Sequence, residues 1–229
     1  MRILLTNDDG IHADGLAALE RIAAQLSDDV WVCAPEYEQS GASRALTLAE
    51  LVTGGKPDLV LSGVNRGANL AEDVTMSGTV AGAIEGMALG VPSIALSQMG
   101  FYEPGNSFEP SEAFAPGIIK RLVEIGWPAD VVINVNFPNR PVEEITEVEV
   151  TRQGFRDVQV RHAEKRTDLR GREYYWIGFR QERSRPAEGT DLRALYEGRI
   201  SVTPLHIDLT HQPAVRDLKG LLGGAPPGV

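Results

Sequence analysis

Residues 1–10 read MRILLTNDDG. A short apolar run, Ile3–Leu5, passes at once into Thr6-Asn7-Asp8-Asp9-Gly10. A run of this kind, closed by a polar turn with glycine, reads as a strand buried on both faces. Two adjacent carboxylates directly behind it are an awkward choice, because like charges raise each other's pKa unless something neutralises them. The strand-then-helix unit recurs downstream. Asp14–Ser27 carries Leu16, Leu19, Ile22, Ala23 and Leu26 at helical spacing, Val30–Ala34 is a second apolar strand stopped by Pro35, and Asp58–Ser62 is a third. Ser77–Leu89 is predicted as a helix with Ser77 as N-cap, Ser93–Ser97 as the fourth strand, Glu112–Ile125 as an amphipathic helix and Val131–Val135 as the fifth strand. Apolar strands separated by helices predict an α/β fold with a mostly parallel sheet covered on both faces.

After Pro138 the pattern changes. Residues 144–153, EITEVEVTRQ, alternate apolar and polar as a half-exposed antiparallel strand does. Residues 158–179 read as a long hairpin with Asp168–Gly171 near its turn, and 199–210 as a further strand running into an extended segment. The tail 223–229, GGAPPGV, is expected to be mobile. The chain therefore divides into a core, 1–138, and a β-rich extension, 139–229, that is not an independent domain and suits oligomer contacts or a lid.

A formal net charge of −10 argues against binding nucleic-acid polymers or anionic membranes, both of which need basic surface. A small anionic substrate remains compatible if a bound cation reverses the local field. Cys33 is the only cysteine, so no disulfide forms within the chain, and it reads as a small core residue. With no leader-like segment and no apolar run near a membrane span, the expected location is cytoplasmic.

In an open parallel sheet ligands bind beyond the carboxyl ends of the strands. Four polar clusters fall there: TNDDG after the first strand, APEYEQSGAS after the second, SGVNRGAN after the third, and MSGTV opening the following helix. A hard divalent cation such as Mg²⁺ or Mn²⁺ would neutralise Asp8 and Asp9, with Ser40 and Asn65 as neutral oxygen donors. The alternative is that one aspartate caps a helix while Ser40 and Asn65 make turns. Ser77, Gly78 and Thr79 offer amides and hydroxyls to phosphate at a helix N-terminus, and Gly82 and Gly86 let that helix approach the sheet. Gly41 and Asn69 stand with them as candidate phosphate-binding residues. His12 is a candidate acid or base, whereas His162, His206 and His211 read as structural or interfacial; Arg44 and Arg66 suit phosphate, sugar or plain solvation. Walker, nucleophile-elbow and dinucleotide signatures are absent, and the adjacent aspartates depart from the Asp-x-Asp of aspartyl-phosphate phosphatases.

Together ILLTNDDGIHADGL, APEYEQSGAS, PDLVLSGVNRGANL, SGTVAGAIEGMALGVPSIALS, GTD and SVTPLHIDLT resemble the SurE family, the stationary-phase survival proteins, from the N-terminus to about His211. The resemblance implies a metal-dependent phosphatase that hydrolyses nucleoside monophosphates to nucleoside and phosphate, with short polyphosphate as a further substrate. It also implies a Rossmann-like core and a C-terminal region exchanged in a homodimer, often within a homotetramer. Asp8, Asp9, Ser40 and Asn65 match the family's holders of one divalent ion per subunit, and Ser77-Gly78-Thr79 its turn beside the phosphate pocket. Asp8, with Asn7 beside it, is then the candidate catalytic residue, either preparing the attacking water or attacking directly.

One departure stands out. The family continues from its LTL through further strands and a Gly-Thr-Pro-x-Asp-Cys segment before the equivalent of GGKPDLVLSG. Here Leu46–Glu50 runs straight into Leu51. Between a true deletion and a stretch left out of the chain as written, omission is the expectation. It predicts a Cα separation at Glu50–Leu51 well beyond the roughly 3.8 Å of a trans peptide. A true loss would bear on base selectivity, since that segment borders the family's pocket.

Overall fold

The computed structural model describes residues 1–38, 55–100, 107–156, 161–179 and 185–222. Five strands come first: β1 (Arg2–Thr6), β2 (Asp29–Val32), β3 (Leu59–Arg66), β4 (Ser93–Gln98) and β5 (Val131–Phe137). Helices α1 (Asp14–Ala23), α2 (Gly78–Ala88) and α3 (Glu109–Ile125) connect them. Then follow β6 (Val148–Val150), the hairpin β7 (Arg161–Thr167) and β8 (Glu173–Phe179), α4 (Asp191–Tyr196), β9 (Ile200–His206) and α5 (Gln212–Leu222). The main sheet runs β2-β1-β3-β4-β5-β9-β6. Its first five strands are parallel, in one of the two common doubly wound orders, and the order reverses at β1 and β3.

Those five strands form the middle of three layers. On one face Leu16, Leu19 and Ile22 of α1 and Ile119 of α3 pack on Ile3, Leu5, Leu59, Leu61, Ile94 and Leu96. On the other, Val80, Ala83 and Met87 of α2 pack with Ala95 and Val132. Each such side chain contributes about 1.5–3 kcal/mol when fully buried, which is why unbroken apolar strands and one apolar helix stripe suffice to specify the layers. The small residues of α2 act as predicted: a Cβ on Gly82 would lie 2.8 Å from Ser62 Oγ and one on Gly86 2.9 Å from Val60 Cγ2. Cys33 packs beside Leu4, Val60 and Val91, and burial pushes its thiol above the ordinary range.

The extension does more than append. β9 joins the core sheet antiparallel to β5, with Val131 opposite His206 and Asn136 opposite Ser201. β6 pairs with β9 in parallel, Val148 opposite Ile200, so the expected antiparallel strand is corrected to a parallel one. The alternation there is also inverted: Val148 and Val150 face outward while Glu149 turns to an ion pair with Arg199 at 2.7 Å. The β7–β8 hairpin forms as predicted, its turn closed by Gly171 N–H on the Asp168 carbonyl at 3.0 Å. It makes a sheet of its own. Residues 223–229 lie outside the described residues.

Candidate active site

β1 ends at Thr6 and the chain turns through Asn7–Gly10 at the place where the strand order reverses. Asn7 is buried, and its Nδ2 donates to the Gly10 carbonyl at 3.0 Å, which closes the turn. Asp8 is only 8% exposed. The Thr79 hydroxyl donates to Asp8 Oδ1 at 2.9 Å, and a Cβ on Gly78 would overlap the Asp8 carboxylate. Glycine at 78 is what lets the α2 N-terminus come against this acid. Ser77 caps the helix as expected, accepting the Val80 N–H at 3.1 Å. The amides of Gly78 and Thr79 have no acceptor within the helix, so they and the helix dipole favour an anion.

Asp9 is the second acid of the pair. Burial, then the charges of Asp8 and Glu38, push its pKa up to about 6; the Arg66 guanidinium and Arg66 N–H pull the other way and do not prevail. Glu38 was missed at the sequence level, although it stands in the quoted loop two residues before Ser40. The Ile11 N–H donates to the Pro35 carbonyl at 2.8 Å, tying that loop to the acidic turn. Arg66 is already engaged: it pairs with Asp14 at 2.9 Å and lies 5.6 Å over the Phe108 ring.

On β3 the register shifts between Ser62 and Asn65, which carries Asn65 out at the strand's end. Its Nδ2 donates to the Gly67 carbonyl at 2.7 Å, leaving Oδ1 as the atom available to a cation. Asn69 follows in the loop that links β3 to α2 and is nearly buried. Asp191, of the GTD motif, holds the same loop: Oδ2 accepts the Ala71 N–H at 2.8 Å, and Oδ1 accepts those of Gly154 at 2.8 Å and Leu192 at 2.7 Å. Ala71 takes φ +53°, a left-handed conformation uncommon outside glycine, so this hydrogen bond sits where the backbone most needs it. Sequence reasoning quoted GTD but did not see this role.

The structure thus brings together Asn7, Asp8, Asp9, Asn65, Ser77, Gly78 and Thr79 at one sheet end. Ser40, Gly41, Arg44 and the Glu50–Leu51 junction lie outside the described residues. His12 is exposed in a turn, His206 lies 3.1 Å from Asp130, and His211 Nδ1 accepts the Ala214 N–H at 3.2 Å. A hard divalent cation fits this donor set. The candidate atoms are oxygens, and the Asn7 Oδ1, Thr6 Oγ1 and Ser62 Oγ atoms nearby are buried without a hydrogen-bond partner among the described residues. No group of three or more His, Cys, Asp or Glu placed to hold a metal occurs among the described residues; the set here is two carboxylates with neutral oxygens.

The chain is similar to known proteins along most of its length. A family model described as "Survival protein SurE" matches residues 3–55 and 46–160. The chain is 81% identical over 257 residues to the 5'-nucleotidase SurE of Phenylobacterium zucineum (strain HLK1), covering 100% of both chains. It is 67% identical over 258 residues to that of Caulobacter vibrioides (strain NA1000 / CB15N), covering 99% of this chain and 98% of the other. The crystal structure of SurE protein from Aquifex aeolicus superposes with a TM-score of 0.82 at 38% identity, over 96% of this chain and 99% of that one. The alignment with the Phenylobacterium protein spans 257 positions, more than the 229 residues of this chain, and the family model matches in two overlapping pieces. That relative carries residues this chain lacks; the Glu50–Leu51 junction, where a Cα separation distinguishes deletion from omission, lies outside the described residues.

Proposed function

This chain belongs to the survival protein SurE family, and from that premise we propose that it is a metal-dependent phosphomonoesterase, a 5'-nucleotidase that releases phosphate from nucleoside monophosphates. One observation carries the reading: Asp8 abuts the N-terminus of α2, and beside it Asp9 is raised to about 6, first by burial and then by the charges of Asp8 and Glu38. An anion-favouring helix end beside paired acids makes sense when a cation lies between acid and anion.

Asp8, Asp9, Asn65 and Ser40 would hold one Mg²⁺ or Mn²⁺. When bound, that ion supplies Lewis-acid polarisation of phosphorus and a more acidic water. The chain's own residues do the rest. The Gly78 and Thr79 amides, with the Ser77 hydroxyl, bind the phosphoryl oxygens and stabilise charge that grows on them. Gly41 and Asn69 extend that pocket. Asp8 orients the attacking water and takes its proton; Asn7 keeps Asp8 in place by closing the turn on Gly10. If the difference beside Glu50 is a true loss, base selectivity is the property it would bear on.

Several finer readings go with this. Short polyphosphate is a further substrate, because only the terminal phosphoryl group need be recognised. Residues 1–138 form the catalytic core and 139–229 the extension through which homodimers or homotetramers assemble. Its outward aromatics Tyr174, Tyr175 and Trp176, and α5 with no buried residue, support that assignment. No helix among the described residues is long and apolar enough to cross a membrane; the acidic surface suits a cytoplasmic enzyme that binds no nucleic-acid polymer.

The test is phosphate release from a panel of nucleoside monophosphates with Mg²⁺, Mn²⁺ or EDTA. Release with either ion, lost in EDTA and in Asp8→Asn, is expected. Release that ignores EDTA refutes the mechanism, and tight binding without release identifies a nucleotide-binding module instead.

A further inference from the structure

Asn69 stands in the loop between β3 and α2, yet strands β4 and β5 hold it. The Asn136 carboxamide closes on both backbone polar groups of Asn69: Oδ1 accepts its N–H at 2.8 Å and Nδ2 donates to its carbonyl at 3.1 Å. Asn134 Nδ2 donates to the same carbonyl at 2.9 Å, and Ser97 Oγ accepts from Asn69 Nδ2 at 2.8 Å. Ser97 and Asn136 are register partners, and Asn134 lies two residues back on the same face of β5. Ser97, Asn134 and Asn136 are all fully buried. Buried polar groups demand partners, and both Asn136 carboxamide atoms and Asn134 Nδ2 find theirs in one loop residue, while Asn134 Oδ1 has none. Every one of these bonds joins the loop residue to the sheet, so the sheet sets where Asn69 stands.

We propose that Asn136 is a positioning residue, whose grip on the Asn69 backbone, completed by Ser97 on its side chain, presents the second Nδ2 N–H of Asn69 to the substrate phosphate. This rests on the reading of Asn69 as phosphate-binding. With the Asn69 peptide clamped at both ends, its side chain can swing only about χ1 and χ2, and the Ser97 contact fixes those. Loss of the clamp leaves Asn69 present but misplaced. A misplacement of about 1 Å can lower a rate by about 100-fold.

The experiment measures kcat and KM for a nucleoside monophosphate, at saturating cation, in Asn69→Ala, Asn136→Ala and the double variant. Asn136→Ala is expected to lower kcat by about the factor that Asn69→Ala does, with KM changed less, and to add under about two-fold on top of Asn69→Ala. Asn136→Asp, which keeps the acceptor for the Asn69 N–H and loses the donor, is expected to fall between. Multiplying losses overturn the proposal, because a general structural role harms both backgrounds alike. Full kcat in Asn136→Ala beside a slow Asn69→Ala also overturns it and leaves the phosphate role of Asn69 standing. Full kcat in Asn69→Ala removes that role, and the positioning claim with it. Should Asn136→Ala not fold, Ser97→Ala takes its place in the same cycle, with the same criterion.

Discussion

At the carboxyl ends of β1 and β3, Asn7 and Asp8 are buried, Asp9 and Asn65 are half-buried, and Asn7, Asp8 and Asn65 each have a hydrogen-bond partner within the chain. Along β7–β8 and α5 exposure prevails. Tyr175 is 67% exposed and Leu221 77%, and α5 buries nothing. The first region sets two acids beside a helix N-terminus. The second is ordered by backbone pairing, with its aromatics outward. On the reading proposed above, the two regions would answer to different partners: a cation at the sheet end, and a second copy of the chain at the hairpin.

The largest expected effect breaks the first half of the comparison. Asp8→Asn keeps the shape of the side chain and removes its charge; phosphate release should fall on the order of a thousand-fold. Retained activity would show that the acids do not organise the cation. Next comes the link between the regions. Asp191→Ala strands three N–H donors, those of Ala71, Gly154 and Leu192. Denaturant unfolding should show a loss of about 3 kcal/mol, and a loss under about 0.5 kcal/mol would mean that water replaces the carboxylate there.

The hairpin is sharpened by Trp176→Ala. Exposed interface aromatics commonly carry about 2 kcal/mol of association energy. Light scattering should therefore show a dimer or larger assembly weakened toward monomer, with the circular dichroism of the core unchanged; a wild-type chain that is monomeric at every concentration rejects a partner copy. The smallest effect concerns Asp9. Its folded pKa, about 6, lies above the ordinary aspartate value of 3.8, so the folded chain holds that proton more tightly than the unfolded one. The stabilising contribution is present below the lower value and lost as pH rises through the upper one. In EDTA, Asp9→Asn should then raise Tm by a few degrees near pH 7 and leave it nearly unchanged near pH 4. An equal shift at both pH values contradicts the account, and with cation present the same variant should lose activity.

Much of this was legible in the sequence because the governing signals are local. Continuous apolar strands and the Leu16–Leu19–Ile22 stripe predict a covered parallel sheet, and Ser77 before Gly78 predicts the helix start. The paired acids were readable because charge behind a buried strand has few explanations. What was not legible depends on contacts distant in sequence. β6 looked antiparallel because alternation reports exposure and not direction; only the reversal of β9 against β5 decides it. Glu38 stood in plain view, but its charge matters only once Pro35 is bonded to the acidic turn. Asn136 lies just past the expected fifth strand, and Asp191 stood only within the quoted GTD. Their roles appear when β5 and α4 are brought to one loop.

The whole account turns on whether the acid pair gathers a cation. Crystals soaked in manganese and measured for anomalous scattering test this most directly. The account predicts one strong peak per subunit, bounded by the carboxylates of Asp8 and Asp9 and by Asn65 Oδ1. Phosphate bound at the α2 N-terminus with no such peak, and the two aspartates turned apart, would contradict it.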